Sequence, residues 1–208
     1  MSMLDHPRRE GEFLDWEKLY QTEPVESMPW YTPHLDPDLE QALKEFKINS
    51  GHFLDLGTGP GTQAALLAGM GFRVTASDLS GAALGEADKL ARQRGVCIAF
   101  VEDNILTSEL EGPFDYIFDR GCFHTLPPEQ REIYVNTVHH LLSPNGKLFL
   151  KCFSVLESSE RGPYRFSPQM IQTLFASRFQ ILTSRESHFE GTLPEKPKAL
   201  FNIMVPLA

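Results

Sequence analysis

Three glycines and an aspartate are the residues of this 208-residue sequence whose types and spacing first suggest chemistry. Residues 53–80, FLDLGTGPGTQAALLAGMGFRVTASDLS, hold Gly57, Gly59 and Gly61 in a GxGxG spacing. Glycine permits a tight turn with positive φ and lets a ligand approach the backbone closely. Asp78 ends the next apolar run, where a carboxylate can accept hydrogen bonds from both hydroxyls of a ribose. The pattern therefore predicts a ligand that carries a nucleoside.

The spacing of the glycines separates two classes of nucleoside ligand. In the dinucleotide fingerprint GxGxxG the third glycine would fall at position 62, which is Thr62. Asp55, two residues before the first glycine, would repel a diphosphate and attract a cation. S-adenosylmethionine carries a sulfonium and an ammonium group and no phosphate, so the pattern favours it. An NAD(P)-dependent oxidoreductase stays open as an alternative.

Acidic residues follow four consecutive predicted strands. Asp55, Asp78, Asp103 and Asp119 lie at or just past the strand ends, and Asn104 beside Asp103 is suited to hydrogen bonding an adenine edge. The carboxyl ends of parallel strands share one edge of a sheet, where ligands bind in such folds. A single aspartate at a strand end is commonly turn chemistry. The ordered set with GxGxG is far more specific.

The elements that position these residues alternate between strand and helix. The predicted strands HFLDL, FRVTAS, VCIAFVE, FDYIF and KLFLKCF are interleaved with helical segments such as GTQAALLAGM, SGAALGEADKLARQR and PEQREIYVNTVHHLL. This alternation predicts an α/β fold with a parallel sheet covered on both faces. The helix SPQMIQTLFAS, with Ser167 as N-cap, precedes the last two strands, FQILTSRES and ALFNIMVPL. No helical pattern separates those two, which indicates an antiparallel end to the sheet.

The amino-terminal part, residues 1–48, is predicted to be a helical and loop cover on the core of residues 49–208, within one domain. DPDLEQALKEF predicts a helix with Asp36 as N-cap and Pro37 at its first position. PVESMPWYTPHLDP, with four prolines, predicts an ordered loop. FLDWEKLYQTE predicts a short amphipathic helix whose apolar residues are Phe13, Leu14, Trp16, Leu19 and Tyr20.

Composition argues against several other classes of protein. The formal net charge of -9 disfavours binding to a nucleic-acid backbone. Cys97, Cys122 and Cys152 form no CxxC pair, so neither a disulfide framework nor a metal site is expected. No signal peptide or membrane-spanning run is expected either. We therefore expect a cytoplasmic protein, a monomer or weak homodimer, without nucleic-acid or membrane partners.

The stretch LDLGTGPG, with the acids at the strand ends, resembles class I S-adenosylmethionine-dependent methyltransferases over residues 50–155. The resemblance implies a Rossmann-like, doubly wound, three-layer α/β/α fold with a seven-stranded, mostly parallel sheet and an antiparallel last strand. It also implies four contacts with S-adenosylmethionine. The backbone of residues 57–61 lies along the methionine part, and Asp78 binds the ribose. Asp103 accepts a hydrogen bond from the adenine amino group, and Asp119 lies near the methionine ammonium. The implied cofactor contacts are Trp16, Tyr20, Trp30, Asp55, Gly57, Thr58, Gly59, Gly61, Asp78, Leu79, Asp103, Asn104, Ile105 and Asp119.

A narrower resemblance covers the segments WEKLY, PW and DRGCFHTLPPEQREIYV. These are similar to the small-molecule branch that holds thiopurine, thiol/halide and tellurite methyltransferases. The resemblance implies that Trp16, Tyr20 and Trp30 close over the cofactor, whose sulfonium suits aromatic faces. Packing of a buried helix face is the alternative for Trp16 and Tyr20. Tyr31 departs from the branch, which often has an acid there.

Candidate acceptor contacts follow the fourth and fifth strands. Arg120 could bind an anionic substrate or pair with Asp119. His124 could act as a general base or cap the following turn. Cys122 is not expected to be a nucleophile, because methyl transfer needs no covalent enzyme intermediate. The segment SSERGPYRFSP follows the fifth strand. It could form a second wall of the acceptor site, or it could be a solvated loop. The predicted substrate contacts are Tyr31, Arg120, His124 and Tyr164, with Arg161 and Arg165 beside them.

The predicted activity is in-line transfer of a methyl group from S-adenosylmethionine to a small-molecule acceptor, in which positioning and exclusion of water carry most of the catalysis. A protein acceptor is an alternative. A DNA acceptor is disfavoured by the acidic charge and the absence of an NPPY-like or Pro-Cys motif. A cofactor-binding subunit without activity is a further alternative, against which the complete set of glycines and acids argues.

Overall fold

The structure, a computed structural model, describes residues 15–158 and 162–207. Phe13, Leu14 and Arg161, which the sequence placed in a helix and a loop wall, lie outside these residues. The helices are α1 Trp16–Thr22, α2 Pro37–Glu45, α3 Thr62–Gly69, α4 Gly81–Arg94, α5 Arg131–Leu141 and α6 Pro168–Phe175. The strands are β1 His52–Leu56, β2 Arg73–Asp78, β3 Ala99–Glu102, β4 Phe114–Arg120, β5 Leu142–Ser154, β6 Arg165–Phe166, β7 Phe179–His188 and β8 Lys198–Pro206.

One mixed sheet organises the fold, with strand order β3-β2-β1-β4-β5-β8-β7. Strands β1 to β5 are parallel, while β8 lies antiparallel between β5 and β7. The predicted α/β class and antiparallel end are therefore confirmed. Within the described residues, seven strands form this path as predicted, and the two-residue β6 pairs with the end of β5 as an eighth strand. The order reverses between β1 and β4, which opens a crevice at their carboxyl ends.

Both faces of the sheet are buried, as the near-continuous apolar strands require. Successive residues of β1 enter different cores: Phe53 packs with α2 and α3, whereas Leu54 packs with α5 and α6. Phe118 and Ile117 of β4 divide in the same way. This period of two produces the three-layer arrangement and holds the strand ends rigidly beneath the crevice.

Two helix starts form as the sequence predicted. Asp36 precedes α2 and its carboxylate accepts from the backbone N–H of Asp38 at 3.0 Å, with Pro37 in the first turn. Ser167 precedes α6 and its hydroxyl accepts from the backbone N–H of Met170 at 3.2 Å. In each case the side chain satisfies a backbone donor that has no partner within the helix.

The amino-terminal segment, here residues 15–35, packs against the core. The carboxylate of Glu17 on α1 accepts hydrogen bonds from Ser80 Oγ at 2.8 Å and from the backbone N–H of Ala82 at 3.0 Å. Leu19 and Met28 are fully buried beside Ala83 of α4. These contacts place the aromatic residues of the segment over the carboxyl ends of the central strands. Within the described part of the chain, no helix is long and apolar enough to cross a bilayer.

Candidate active site

A cavity of about 950 Å³ lies at the carboxyl ends of the central strands. Its size matches that of ligand-binding clefts in general. The glycine loop, the ends of β2 and β3, the loop after β4, the amino-terminal segment and residues 189–197 enclose it. The predicted site residues that line it are Trp16, Tyr20, Trp30, Tyr31, Asp55, Gly57, Thr58, Gly59, Asp78, Leu79, Asp103, Asn104, Ile105, Arg120 and His124.

The glycine loop adopts backbone angles that favour glycine. Gly57 and Gly59 have φ of 65° and 53°. A Cβ at Gly59 would lie 2.6 Å from Tyr20 Oη, so a side chain there would displace that hydroxyl in addition to straining the backbone. The two carboxylate oxygens of Asp78 accept from the backbone N–H groups of Gly59 at 2.8 Å and Ser80 at 2.9 Å. Asp78 thus orders the loop, and it also lines the cavity.

Asp55 brings a buried carboxylate to the same loop. One of its oxygens accepts from Thr58 Oγ1 at 2.5 Å and from the backbone N–H of Ala64 at 3.1 Å. Burial raises the pKa of Asp55 to about 6, although both hydrogen bonds act in the opposite direction. A cationic ligand nearby would favour the charged form and lower this pKa. The site therefore suits a cation at this position.

Asp103 supplies the clearest sign of a missing polar partner. Its Oδ1 accepts from the backbone N–H of Glu109 at 3.0 Å. Its Oδ2 is buried and has no hydrogen-bond partner among residues 15–158 and 162–207. Buried polar atoms are nearly always hydrogen-bonded, so this oxygen fits a donor on a ligand, such as an exocyclic amino group. Beside it, Asn104 lines the cavity, and its Oδ1 accepts from the backbone N–H of Leu106 at 3.0 Å.

Three aromatic side chains of the amino-terminal segment contact one another and line the cavity. Trp30 Nε1 donates to Tyr20 Oη at 3.2 Å, and the rings of Trp16 and Trp30 meet edge to face at 5.7 Å. Trp16 and Tyr20 pack in a cluster at the amino-terminal segment, as the packing alternative expected, and they also line the cavity, so their closure over a cofactor stays a prediction. Their faces offer favourable sites for a sulfonium ion.

Asp119 lies outside the cavity, which corrects the expectation that it approaches an ammonium group. Its Oδ1 accepts from the backbone N–H groups of Gly121 and Cys122, and its Oδ2 accepts from Phe123 N–H and Tyr134 Oη. These distances run from 2.6 to 2.9 Å, and the residue is fully buried. Burial raises the pKa of Asp119 to about 6. Asp119 therefore holds the loop after β4 in place through hydrogen bonds to its backbone N–H groups.

Gly61 and Tyr164 are two further predicted contacts that the structure places elsewhere. Gly61 has φ of 75°, and a Cβ there would lie 2.5 Å from the Cβ of Ala87, so the glycine allows α3 to approach α4. The ring of Tyr164 lies 4.7 Å from the guanidinium of Arg131, and its backbone N–H donates to the His124 carbonyl at 2.9 Å. Both residues support the cavity without lining it.

Arg120 pairs with Asp36 and not with Asp119. Its Nε donates to Asp36 Oδ2 at 3.0 Å, one Nη donates to the carbonyl of Trp30 at 3.0 Å and the other to the carbonyl of Glu190 at 2.5 Å. The guanidinium therefore connects the amino-terminal segment with the β7–β8 loop. These contacts use three of the five N–H donors of the guanidinium, and Arg120 also lines the cavity, so its contact with an anionic substrate stays a prediction.

A buried network of ion pairs behind the cavity was not predicted from the sequence. Lys151, in the middle of β5, is fully buried, and its Nζ lies 2.8 Å from Asp36 Oδ2 and 2.7 Å from Asp38 Oδ2. Arg185 of β7 pairs with the other oxygen of Asp38 at 2.9 Å. A lysine inside the apolar run KLFLKCF is the one signal that could have indicated buried carboxylate partners.

His124 lies in the cavity wall with its ring between Phe153 and Phe189, at centroid distances of 4.9 and 5.5 Å. Its Nδ1 accepts from the backbone N–H of Phe153 at 3.2 Å. Burial, assisted by the charge of Arg120, lowers the pKa of His124 to about 3. A histidine with so low a pKa is a weak base, which disfavours the general-base alternative. Burial also raises the pKa of the Cys122 thiol, which keeps it protonated.

The wall around His124 is mainly apolar, and most of it was not predicted. We call this part, lined by Leu126, Phe153, Phe189, Leu193 and Pro194, the apolar end of the cavity. Phe189, Leu193 and Pro194 come from the loop between β7 and β8. Nothing in their local sequence indicates a site, because only the folded sheet brings that loop over β4.

Comparison with known proteins agrees with this geometry. The family model described as "Methyltransferase domain" matches residues 53–146. "Uncharacterized methyltransferase C750.03c" of Schizosaccharomyces pombe is 31% identical over 107 residues, which are 51% of this chain and 74% of that protein. "Thiocyanate methyltransferase 1" of Arabidopsis thaliana is 25% identical over 152 residues, 72% of this chain and 66% of that protein.

Solved structures share the fold. The 1,6-didemethyltoxoflavin-N1-methyltransferase of Burkholderia thailandensis, solved with 1,6-didemethyltoxoflavin and S-adenosylhomocysteine, superposes with a TM-score of 0.67 at 23% identity. The superposition covers 83% of this chain and 78% of that one. With the glycine loop, the acids at the strand ends and the antiparallel β8, these matches show that the chain belongs to the class I S-adenosylmethionine-dependent methyltransferases.

Proposed function

We propose that the protein transfers the methyl group of S-adenosylmethionine to a small-molecule acceptor held at the apolar end of the cavity. The observation that carries this proposal is a single cavity of about 950 Å³ with two chemically different ends. One end holds the glycine loop with Asp55, Asp78 and Asp103, and the other is walled by aromatic and aliphatic side chains. A cofactor and an acceptor can therefore meet within one cavity.

The polar end suits the cofactor residue by residue. Asp78 would accept the ribose hydroxyls, and the partnerless Oδ2 of Asp103 would accept the adenine amino group. Asp55 and the rings of Trp16 and Trp30 would face the cationic methionine part. The backbone of Asn104 and the buried Ile105 would flank the adenine. Bound there, the cofactor supplies a methyl group that is already strongly electrophilic.

The protein's own contribution would be orientation and the exclusion of water. Residues 30–32 and the loop 189–197 both line the cavity, and Arg120 bonds to the carbonyls of Trp30 and Glu190. This link holds two walls together above the apolar end. Holding both reactants in line removes much of the entropic barrier of a bimolecular displacement. Tyr31 and His124 would then contact the acceptor.

The apolar lining favours a small-molecule acceptor over a protein. Phe153, Phe189 and Leu193 give this part of the cavity side chains that suit a small apolar molecule. The names of related proteins point the same way, since one is a thiocyanate methyltransferase and a structural neighbour holds 1,6-didemethyltoxoflavin. The acidic charge of -9 gives no support to a nucleic-acid acceptor.

Calorimetric titration with S-adenosylhomocysteine tests the cofactor half of the proposal. We expect saturable binding by the wild type and a loss of affinity of about tenfold or more in Asp78→Ala, because a charge-assisted contact is removed. Asp88→Ala, which removes a carboxylate of a surface ion pair on α4, is the matched control and should bind normally. Binding of NADH without binding of S-adenosylhomocysteine would overturn the proposal.

A further inference from the structure

The two ring nitrogens of His124 have different surroundings. The backbone N–H of Phe153 points at Nδ1 with an N–N distance of 3.2 Å. A backbone amide only donates, so Nδ1 is the acceptor and carries no proton. For Nε2 the described residues, 15–158 and 162–207, provide no hydrogen-bond partner. The ring is therefore held by one nitrogen while the other is left for a ligand.

The surroundings of the ring keep it neutral. His124 is buried, its ring meets Phe153 and Phe189, and the guanidinium of Arg120 lies near enough to oppose a second positive charge. The pKa of His124 falls to about 3 for these reasons, burial first. A neutral imidazole carries one proton, and because Nδ1 is an acceptor that proton is on Nε2. At neutral pH, His124 thus presents an N–H donor.

Other groups near the apolar end do not replace a base. The thiol of Cys122 stays protonated, because burial raises its pKa. The guanidinium of Arg120 is a cation with three hydrogen bonds already made. Among the carboxylates that line this part, Glu157 accepts from the backbone N–H of Lys198 at 2.7 Å, and Glu195 is exposed to solvent.

We propose that His124 donates a hydrogen bond through Nε2 to the nucleophilic atom of the acceptor, so that the site selects acceptors that arrive already deprotonated. Thiolates are the class that best fits an apolar wall with one N–H donor. Alcohols and protonated amines, which must lose a proton during the reaction, are disfavoured. This inference rests on the proposed methyltransferase function and specifies its acceptor.

When the acceptor is a thiolate, no group of the protein has to accept a proton during the methyl transfer. A lone pair of the thiolate forms the new carbon–sulfur bond to the methyl group, and the pair of the breaking bond stays on the cofactor's sulfur. The positive charge of the sulfonium and the negative charge of the thiolate cancel in the two neutral products. The Nε2–H group donates to one lone pair of the thiolate sulfur, which leaves another lone pair free to attack the methyl group.

Nitrogen NMR of the histidine rings tests the tautomer directly and needs no acceptor. Protein labelled with ¹⁵N in its histidines is compared with His124→Gln, which identifies the His124 signals by their loss. We expect a neutral ring with bare Nδ1 and protonated Nε2, unchanged between about pH 5 and pH 8. A proton on Nδ1, or a titration within that range, would overturn the inference.

Kinetics with a series of substituted benzenethiols tests the selection. We expect kcat/KM to rise with pH only up to the pKa of each thiol, so that the profile moves with the acceptor. His124→Phe should lower kcat/KM by about tenfold or more through loss of the donor. His124→Gln, whose amide can accept from Phe153 and donate to the acceptor, should recover much of that loss. His140→Gln on the surface of α5 is the control.

The two failures are distinguishable. If the wild type does not bind S-adenosylhomocysteine, the proposed function fails before the role of His124 arises. A different result would overturn the role of His124 in a protein that does bind S-adenosylhomocysteine. In that case alcohols would be methylated as fast as thiols, and all acceptors would share one limb of the pH profile that disappears in His124→Gln. His124 would then be a base, and the inference would fail. Unchanged binding of S-adenosylhomocysteine by His124→Phe would place the lost activity at the acceptor rather than the cofactor.

Discussion

Lys151 Nζ lies 2.8 Å from Asp36 Oδ2, and both side chains are fully buried. The pair joins the middle of β5 to the residue that caps α2, and Asp36 also accepts from Arg120 at 3.0 Å. Burial by itself would raise the pKa of Asp36, but Lys151 and Arg120 outweigh it and hold that pKa below its usual value. The wall of the cavity is thereby connected to the centre of the sheet.

Replacing Lys151 should destabilise the fold strongly. Lys151→Met leaves Asp36 and Asp38 buried with one cation fewer, and breaking such a pair costs about 3 kcal/mol or more. Urea unfolding followed by circular dichroism measures the effect. Lys44→Met removes a lysine from an exposed pair with Glu40 and should change stability by less than about 1 kcal/mol. Equal effects of the two substitutions would contradict the importance of the buried network.

Gly61 and Gly85 should respond to alanine in opposite directions. At Gly61 a Cβ would lie 2.5 Å from the Cβ of Ala87 and φ is 75°, so Gly61→Ala should cost roughly 2 kcal/mol or more. At Gly85, inside α4, no atom lies within 4 Å of the new Cβ, and alanine should stabilise the helix by up to about 1 kcal/mol. Thermal unfolding of both variants checks this. A neutral Gly61→Ala would refute the packing role.

Asp55 should make stability fall as pH rises. Its pKa in the folded state, about 6, exceeds its ordinary value of roughly 4 in the unfolded chain. Between these values the folded state holds a proton that the unfolded state has released, so unfolding free energy decreases with rising pH.

The variant Asp55→Asn removes this dependence. Relative to the wild type it should gain roughly 2 to 3 kcal/mol of stability between about pH 4 and pH 7. Denaturant unfolding at several pH values gives the difference directly, and contributions of other groups cancel in it. A constant difference across this range would show that Asp55 is not a protonated carboxyl in the folded protein.

Arg120→Gln should loosen two walls of the cavity. The glutamine cannot reproduce the bonds to Asp36 and to the carbonyls of Trp30 and Glu190, so these segments should open more often. Hydrogen exchange should become faster in residues 28–32 and 189–192, with α5 unchanged. Arg92→Gln, taken from a surface pair with Asp88, serves as the control. Equal protection in both variants would argue against the link.

Much of the fold follows from local patterns. The alternation of apolar strands with helices, and the caps at Asp36 and Ser167, are confirmed because each depends on residues close in sequence. The glycine loop and three of the four acids lie in the cavity for the same reason, since the ends of parallel strands meet at one edge. Position along a strand was therefore predictable.

The directions of side chains and their partners from distant parts of the chain were not predictable from the sequence. Asp119 ends its strand as Asp55 does, but its carboxylate turns back to bond its own loop and Tyr134. Arg120 pairs with Asp36, which lies 84 positions away in the chain, instead of with the adjacent Asp119. Phe189 reaches the cavity from a loop whose composition carries no signal. Each outcome depends on packing between elements distant in sequence, which spacing alone does not encode.

Methyl transfer itself is the most direct test of the central claim. The purified protein would be incubated with S-adenosylmethionine and a panel of small thiols, halides, phenols and amines, with unrelated proteins as macromolecular acceptors, and release of S-adenosylhomocysteine would be measured. We expect repeated turnover with at least one small apolar acceptor, fastest among thiols, and its loss in Asp78→Ala. Turnover with protein acceptors alone, or none despite tight cofactor binding, would contradict the account.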